Sequence, residues 1–360
     1  MSVYIIAELG VNHNGSLELA LELIDAAAQA GANAVKVQTF IADQLASTSA
    51  PKADYQLKTT SPHESQHTLL KSLELKYNFH PILKAAAEAK KLDFFSSPFD
   101  LDSIEFLYSL QLPYLKIPSG ELTNAPYLLA AARTKIPLII STGMATLEEI
   151  RQALAVIHYG LQYSSGWPAN NWISRWHPKT MGVSNKITLL HCTTEYPAPL
   201  AHLNLKAISL LQTTFDLPVG YSDHTSDLIA PVIAVTLGAT MIEKHLTLDR
   251  SLAGPDHAAS LNPKQFNRMV HHIRQTQQAL GLKEKKPSDN EKKNAKLVRK
   301  SLVAAKNIHI GEIFSPENIT IKRPGFGISP MHYWHYLGRS ADRDYIEGEL
   351  IMKFSSQAPS

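Results

Sequence analysis

Residues 218–245 read PVGYSDHTSDLIAPVIAVTLGATMIEKH, and the architecture can be worked out from there. Two short apolar runs, 218–221 and 241–245, flank a helical apolar segment at 229–237, the pattern of a strand, a crossover helix and the next parallel strand. Asp223 and His224 follow directly on the first run, and His245 closes the second. The same alternation recurs from residue 4 to about 280. Strands are expected at 4–8, 34–39, 93–96, 114–117, 138–141, 187–191, 218–221 and 241–245, and helices at 17–30, 81–90, 101–110, 127–134, 147–158, 229–237 and 263–280. Eight such units predict an α/β fold, a (β/α)8 TIM barrel. An open doubly wound sheet shares this periodicity. The barrel is favoured because polar residues close nearly every strand: Glu8, Lys36 with Gln38, Ser96-Ser97, Ser119 to Glu121, Ser141-Thr142, His191, Asp223-His224 and His245. Barrels build their active sites at those ends.

The bulk composition excludes several classes of function. With 44% hydrophobic and 19% charged residues in 360, the chain is neither disordered nor built around a membrane span. A net charge of +3 without a Lys/Arg stripe argues against nucleic acid as a partner. The start, MSVYIIAE, has no basic n-region and places Glu8 where a signal peptide stays apolar, so a cytoplasmic enzyme is expected. The single cysteine, Cys192, agrees, since it cannot form an intramolecular disulfide.

The run KEKKPSDNEKKN at 283–294 is charged with no apolar face and reads as a solvated linker or exposed helix. It separates a barrel domain, 1–282, from a β-rich module, 299–360, with the linker at 283–298. Short β-like runs at 299–304, 313–314 and 319–322 broken by Gly311 and Pro316 mark that module, which is small enough to need a partner. Residues 161–186 carry Trp167, Trp172 and Trp176 and read as a self-packed surface loop, with a lid or interface patch as the alternative.

Chemistry concentrates at the strand ends. His224 and His245 end neighbouring strands, so their imidazoles can converge on a divalent metal with open positions. Lys36 and Lys116 can meet a phosphate or carboxylate, and Ser119-Gly120 offers a hydroxyl and backbone amides beside them. Glu8 and Glu121 are candidate general bases or sugar ligands, as are Glu243 and Asp256; Glu243 alternates with His245 and is expected to support it. A Schiff-base aldolase using Lys36 or Lys116, and a non-catalytic sugar-binding barrel, remain as other readings.

Matches in order along the chain carry a family resemblance: IAELGVNHNG at 6–15, VKVQT at 35–39, KIPSGE at 116–121, STGMA at 141–145, HCTTEYP at 191–197, GYSDH at 220–224, IEKH at 242–245 and GPDH at 254–257. With RKSLV at 299–303 and KRPG at 322–325 they resemble the sialic acid synthase family, which includes legionaminic acid synthases and carries a C-terminal antifreeze-like SAF domain of β-clip fold. The resemblance implies condensation of phosphoenolpyruvate with an N-acetylated aminosugar, in a domain-swapped homodimer. It implies a metal, usually Mn2+ with Mg2+ or Co2+ as alternatives, on His224 and His245. Lys36, Ser97, Lys116 and Ser119 would then bind phosphoenolpyruvate. Glu8, Gln38, Tyr196 and Asp256 would bind the open-chain sugar, Arg323 of the other subunit its N-acetyl group, and Glu121 would act as base. Ser97 stands where threonine is common, Thr194 where asparagine often occurs, and Phe326 where asparagine commonly follows Arg-Pro-Gly.

Overall fold

The computed structural model describes residues 2–48, 50–52, 57, 60, 64–178 and 186–353, and divides the chain into two compact units, Met1–Gly281 and Leu282–Ser360. In the first unit eight parallel strands close into a barrel in chain order: β1 (Tyr4–Gly10), β2 (Ala34–Thr39), β3 (Asp93–Pro98), β4 (Leu115–Ile117), β5 (Leu138–Ser141), β6 (Ile187–Cys192), β7 (Val219–Asp223) and β8 (Met241–His245). β1 pairs with β8 as well as with β2, so no strand edge is left exposed.

Local sequence sets the helices that wrap it. Leu17–Ala30 starts where the Ser16 side chain accepts a hydrogen bond from the Leu19 amide and ends at Gly31 in the left-handed region. Capping boxes, Thr146 with Glu149 and Asn262 with Gln265, open Leu147–Gln162 and Pro263–Leu280. Besides the short helices Ala42–Leu45 and Asn170–Arg175, two longer helices among the described residues of this unit escape the sequence pattern. Ala207–Phe215, after β6, reads AISLLQTTF, in which β-branched residues blur the helical signal. Gln66–Leu73 buries only Leu69 and Leu73, too narrow a stripe to declare itself.

In the tryptophan-rich insertion, Trp172 and Trp176 pack against His158, and the Trp176 indole N–H donates to His158 Nδ1 at 2.8 Å. Trp167 remains 82% exposed. Part of that insertion, 179–185, lies outside the described residues.

The second unit has its own small core around Leu302, Ile308, Phe314, Tyr336 and Tyr345. Its antiparallel pair is β9 (Ser301–Ala304) with β10 (Ile319–Lys322). The expected strand at 313–314 is only an isolated bridge from Ile313 to Ser340. Before β9, Asp289–Val298 forms a helix with a Ser288/Glu291 capping box and no buried residue. Residues 354–360 of the expected module lie outside the described residues. No helix among the described residues is long and apolar enough to cross a membrane.

Candidate active site

Strand register brings the polar strand ends together. Glu8 lies opposite Lys36 on one side and His245 on the other, Gln38 opposite Ser97, and Ser222 opposite Glu243. Because side chains alternate along a strand, Lys36 and Gln38 share one face, as do Glu243 and His245. A cavity of about 310 Å³ opens among them at the carboxyl ends of the strands. Of the residues singled out in the sequence, Glu8, Lys36, Gln38, Ser97, Lys116 and Ser119 line it, as do Tyr196, His224, His245 and Asp256. Gly10, at φ +48°, permits the convergence, since a Cβ there would sit 3.1 Å from Glu8 Oε1 and 3.3 Å from His245 Cε1.

One part of the cavity is a charge cluster. Lys36 pairs with Glu8 and donates to Ser97 Oγ at 3.2 Å. Glu243 bridges the two lysines: its Oε1 accepts from Lys116 Nζ at 3.0 Å and from Ser222 Oγ at 2.9 Å, while its Oε2 lies 3.8 Å from Lys36. Burial works against the Glu243 charge, yet the two ammoniums outweigh it and hold its carboxyl down to about 2. The lysines themselves diverge. Burial lowers Lys116, whereas Lys36 feels the same burial but is raised by the carboxylates of Glu243 and Glu8. Burial also raises Glu8, and lifts Asp256 to about 7 with the Glu8 charge adding to the effect. Ser119 Oγ receives the Gly143 amide at 3.0 Å and lies 3.3 Å from Cys192 Sγ.

The histidines form the other part. Their ring centroids are 5.8 Å apart, and burial drives His224 down to about 4 and His245 well below its ordinary value. Both are therefore neutral, as metal ligation requires. His224 Nδ1–H donates to the Thr193 carbonyl at 2.7 Å, which leaves the Nε2 lone pair facing the Tyr196 hydroxyl at 3.2 Å. His245 Nδ1 is buried without a hydrogen-bond partner, with Asp256 Oδ2 at 3.8 Å. An oriented lone pair and an orphaned ring nitrogen fit an open divalent-metal site. No group of three or more His, Cys, Asp or Glu side chains among the described residues would complete a closed one.

Several residues behave differently from their sequence reading. Glu243 engages Lys116 and Ser222 instead of supporting His245, because it points into the barrel, where the lysine of β4 reaches it across the interior. His191 turns to the Leu203 carbonyl, and Asp223 lies on the outer face of β7, paired with Lys244. Glu121 follows the cavity-lining Gly120 but is not itself in the lining; its carboxylate accepts from Asn124 Nδ2 at 2.6 Å. Arg323 is exposed within the second unit. Sequence reasoning missed the apolar cavity residues Val11, Leu70, Leu73 and Phe99, which carry no chemical signature of their own.

A family model described as the NeuB family matches residues 23–285, and the SAF domain matches 299–353. N,N'-diacetyllegionaminic acid synthase of Campylobacter jejuni is 49% identical over 347 residues, covering 96% of this chain and 98% of that protein. The protein of the same name in Legionella pneumophila is 43% identical, covering 98% and 94%. Among solved structures, the N-acetylneuraminic acid synthetase of Leptospira borgpetersenii in complex with citrate aligns with a TM-score of 0.67 and 31% identity, over 82% of this chain and 90% of that one.

Proposed function

The chain belongs to the NeuB family, and from that premise we propose that it is a cytoplasmic nonulosonic acid synthase. It joins phosphoenolpyruvate and water to an N-acetylated aminosugar, either N-acetylmannosamine or 2,4-diacetamido-2,4,6-trideoxymannose, and releases phosphate. The observation that carries this reading is the pairing, within one cavity, of two buried ammoniums with two neutral histidines.

Lys116 and Lys36, with Ser97 and Ser119, would take the phosphate and carboxylate of phosphoenolpyruvate. Glu243 then changes from the counter-ion of both lysines to a fixed acceptor between them, so the anion enters a site whose cations are already positioned. His224 and His245 would hold a divalent metal, Mn2+ in the first instance, which when bound supplies Lewis acidity to a carbonyl oxygen. Glu8, Gln38, Tyr196 and Asp256 orient the sugar so that its aldehyde carbon faces the methylene of phosphoenolpyruvate. The C=C electron pair of phosphoenolpyruvate forms the new C–C bond as the aldehyde C=O π bond opens to an oxygen that takes a proton. The positive charge left on the carbon bearing the phosphate ester is met by water, and the adduct collapses to the ketone with C–O cleavage and release of phosphate. Glu121 would accept the proton of that water after leaving Asn124. A homodimer in which the SAF domain of one subunit brings Arg323 to the other subunit's sugar is part of the proposal.

The test is phosphate release from phosphoenolpyruvate with Mn2+ and either sugar, suppressed by EDTA. Label in the bridging oxygen should leave with phosphate; unlabelled phosphate would mean P–O cleavage and would sink the mechanism. The lowered pKa of Lys116 suits a Schiff-base aldolase as the second reading. Borohydride trapping of pyruvate on the enzyme would favour it.

A further inference from the structure

Asp256 lines the cavity, yet its carboxylate makes no hydrogen bond among the described residues and lies 3.8 Å from His245 Nδ1. Its place is therefore set by the backbone that carries it, in the loop that leaves β8. One side chain ties that loop to the segment after β1. Asn12 Nδ2 donates to the Leu246 carbonyl at 2.9 Å, one residue beyond His245, and to Ser260 Oγ at 2.8 Å; Ser260 Oγ in turn donates to the Asp256 carbonyl at 2.7 Å. A single amide thus spans the His245 strand end and the Asp256 loop. A second tie runs beside it: Asn14 Nδ2 donates to the Ala253 carbonyl at 3.0 Å, and a Cβ on Gly254 would come to 3.0 Å from Asn14 Oδ1. Asn12 and Ser260 are buried and stand outside the cavity lining. The Asn12 carbonyl oxygen, Oδ1, is buried without a hydrogen-bond partner. An unsatisfied buried acceptor opposes stability, so packing alone does not account for an amide here, whereas a need for its two donors does.

We infer that Asn12 and Ser260 are positioning residues for the acceptor sugar, acting through Asp256 by fixing where its carboxylate stands beside His245; the inference rests on the synthase reading above, in which Asp256 binds the sugar. Asn12 belongs to IAELGVNHNG and Asp256 to GPDH, stretches from opposite ends of the barrel sequence. Closure of β1 against β8 sets them side by side, and the Leu246 amide, which donates to the Glu8 carbonyl at 2.8 Å, continues that seam past the last paired residues. Glu8 and Asp256, both assigned to the sugar, thus stand on the two sides of one seam. Loss of a hydrogen bond in it frees the Asp256 backbone to shift, and small misplacements of a binding group lower the rate steeply. The groups assigned to phosphoenolpyruvate are carried by β2, β3, β4 and the turn after β4, none of which these hydrogen bonds involve.

The experiment measures phosphate release with phosphoenolpyruvate, Mn2+ and whichever of the two sugars the wild type uses, in Ser260→Ala, Asn12→Leu, Asp256→Asn and the double variant Ser260→Ala/Asp256→Asn. The melting temperature serves as the control for folding. Expected in Ser260→Ala and in Asn12→Leu is a loss of about ten- to hundredfold in kcat/KM for the sugar, with the KM for phosphoenolpyruvate little changed. In the Asp256→Asn background, Ser260→Ala should add far less than it costs in the wild type, because residues acting through one group are not additive. A full further loss in that background, or a loss shared equally by the sugar and phosphoenolpyruvate, would show a structural role only and overturns the inference while leaving the synthase reading intact. Wild-type kinetics in both Ser260→Ala and Asn12→Leu does the same. Absence of phosphate release by the wild type with either sugar overturns that reading and this inference with it.

Discussion

Strands β7 and β8 carry two buried clusters of charge, one on each face, that differ in how completely they are satisfied. On the outer face, Asp223 accepts from Lys244, the Tyr221 hydroxyl and both the amide and hydroxyl of Thr225, and Lys244 also reaches the Thr225 carbonyl. On the inner face, Glu243 Oε2 and His245 Nδ1 are buried without a hydrogen bond. Three residues in a row, Glu243, Lys244 and His245, supply both clusters. A buried polar group left unsatisfied is unfavourable unless something else completes it. The outer pair is finished by the fold and acts as a clamp on the turn bearing His224; the inner cluster is left for a ligand to finish.

The sharpest way to break this contrast is at the histidines. His224→Ala or His245→Ala should lower kcat/KM by about a thousandfold or more, the several kcal/mol expected of a metal-assisted step, with little change in melting temperature. Full activity in His224→Ala would remove the inner cluster from the chemistry. Next, Lys244→Met should destabilise the protein by about 3–5 kcal/mol in denaturant titrations, because it strands the Asp223 charge, and Asp223→Leu added to it should restore most of the loss. If the double variant is no better than the single, the pair is not a self-contained clamp.

A third test uses another satisfied network. His80 lies between the Thr39 hydroxyl at 2.7 Å and the Lys76 carbonyl at 3.2 Å, and burial lowers it to about 4. A depressed histidine favours its neutral form in the fold, so its contribution is complete above about 6.5 and is lost as pH falls toward 4. Stability of the wild type relative to His80→Gln should therefore drop by roughly 3 kcal/mol between pH 7 and pH 4, measured by denaturant midpoint. A difference independent of pH would show that the imidazole titrates equally in both states.

The smallest effect concerns Arg323, an exposed charge with no hydrogen bond or ion pair among the described residues. Arg323→Ala should raise the KM for the sugar about ten- to hundredfold, the worth of one charge-assisted hydrogen bond, and change that for phosphoenolpyruvate far less. Mixing Arg323→Ala with His224→Ala chains should restore some activity if the arginine works in trans. Verified subunit exchange without recovery would end the swapped-dimer proposal.

The strands were legible because each run, such as AVKVQT at 34–39, is largely apolar and set between amphipathic stretches, while the choice of a closed barrel over an open sheet rested on the polar strand ends. The polar strand ends were legible for a related reason: charges such as Lys36 are conspicuous in otherwise apolar runs. What alternation did not reveal was partnership across strands. Glu243 and Lys116 are 127 positions apart and meet only through barrel closure. Leu70 and Phe99 look like ordinary core residues until the cavity places them beside charges.

The apolar cavity residues also have a consequence for divergence. Leu70 and Leu73 sit on a connection between strands and in a cluster detached from the barrel core, whereas the lysines and histidines sit in or directly after the strands themselves. Changes in that connection alter the carbon lining of the cavity without moving the groups assigned to phosphoenolpyruvate. The carbon side and the charged side of one cavity are thus built from different parts of the chain, and the connection that bears Leu70 and Leu73 can be revised while every strand-borne lysine and histidine keeps its place.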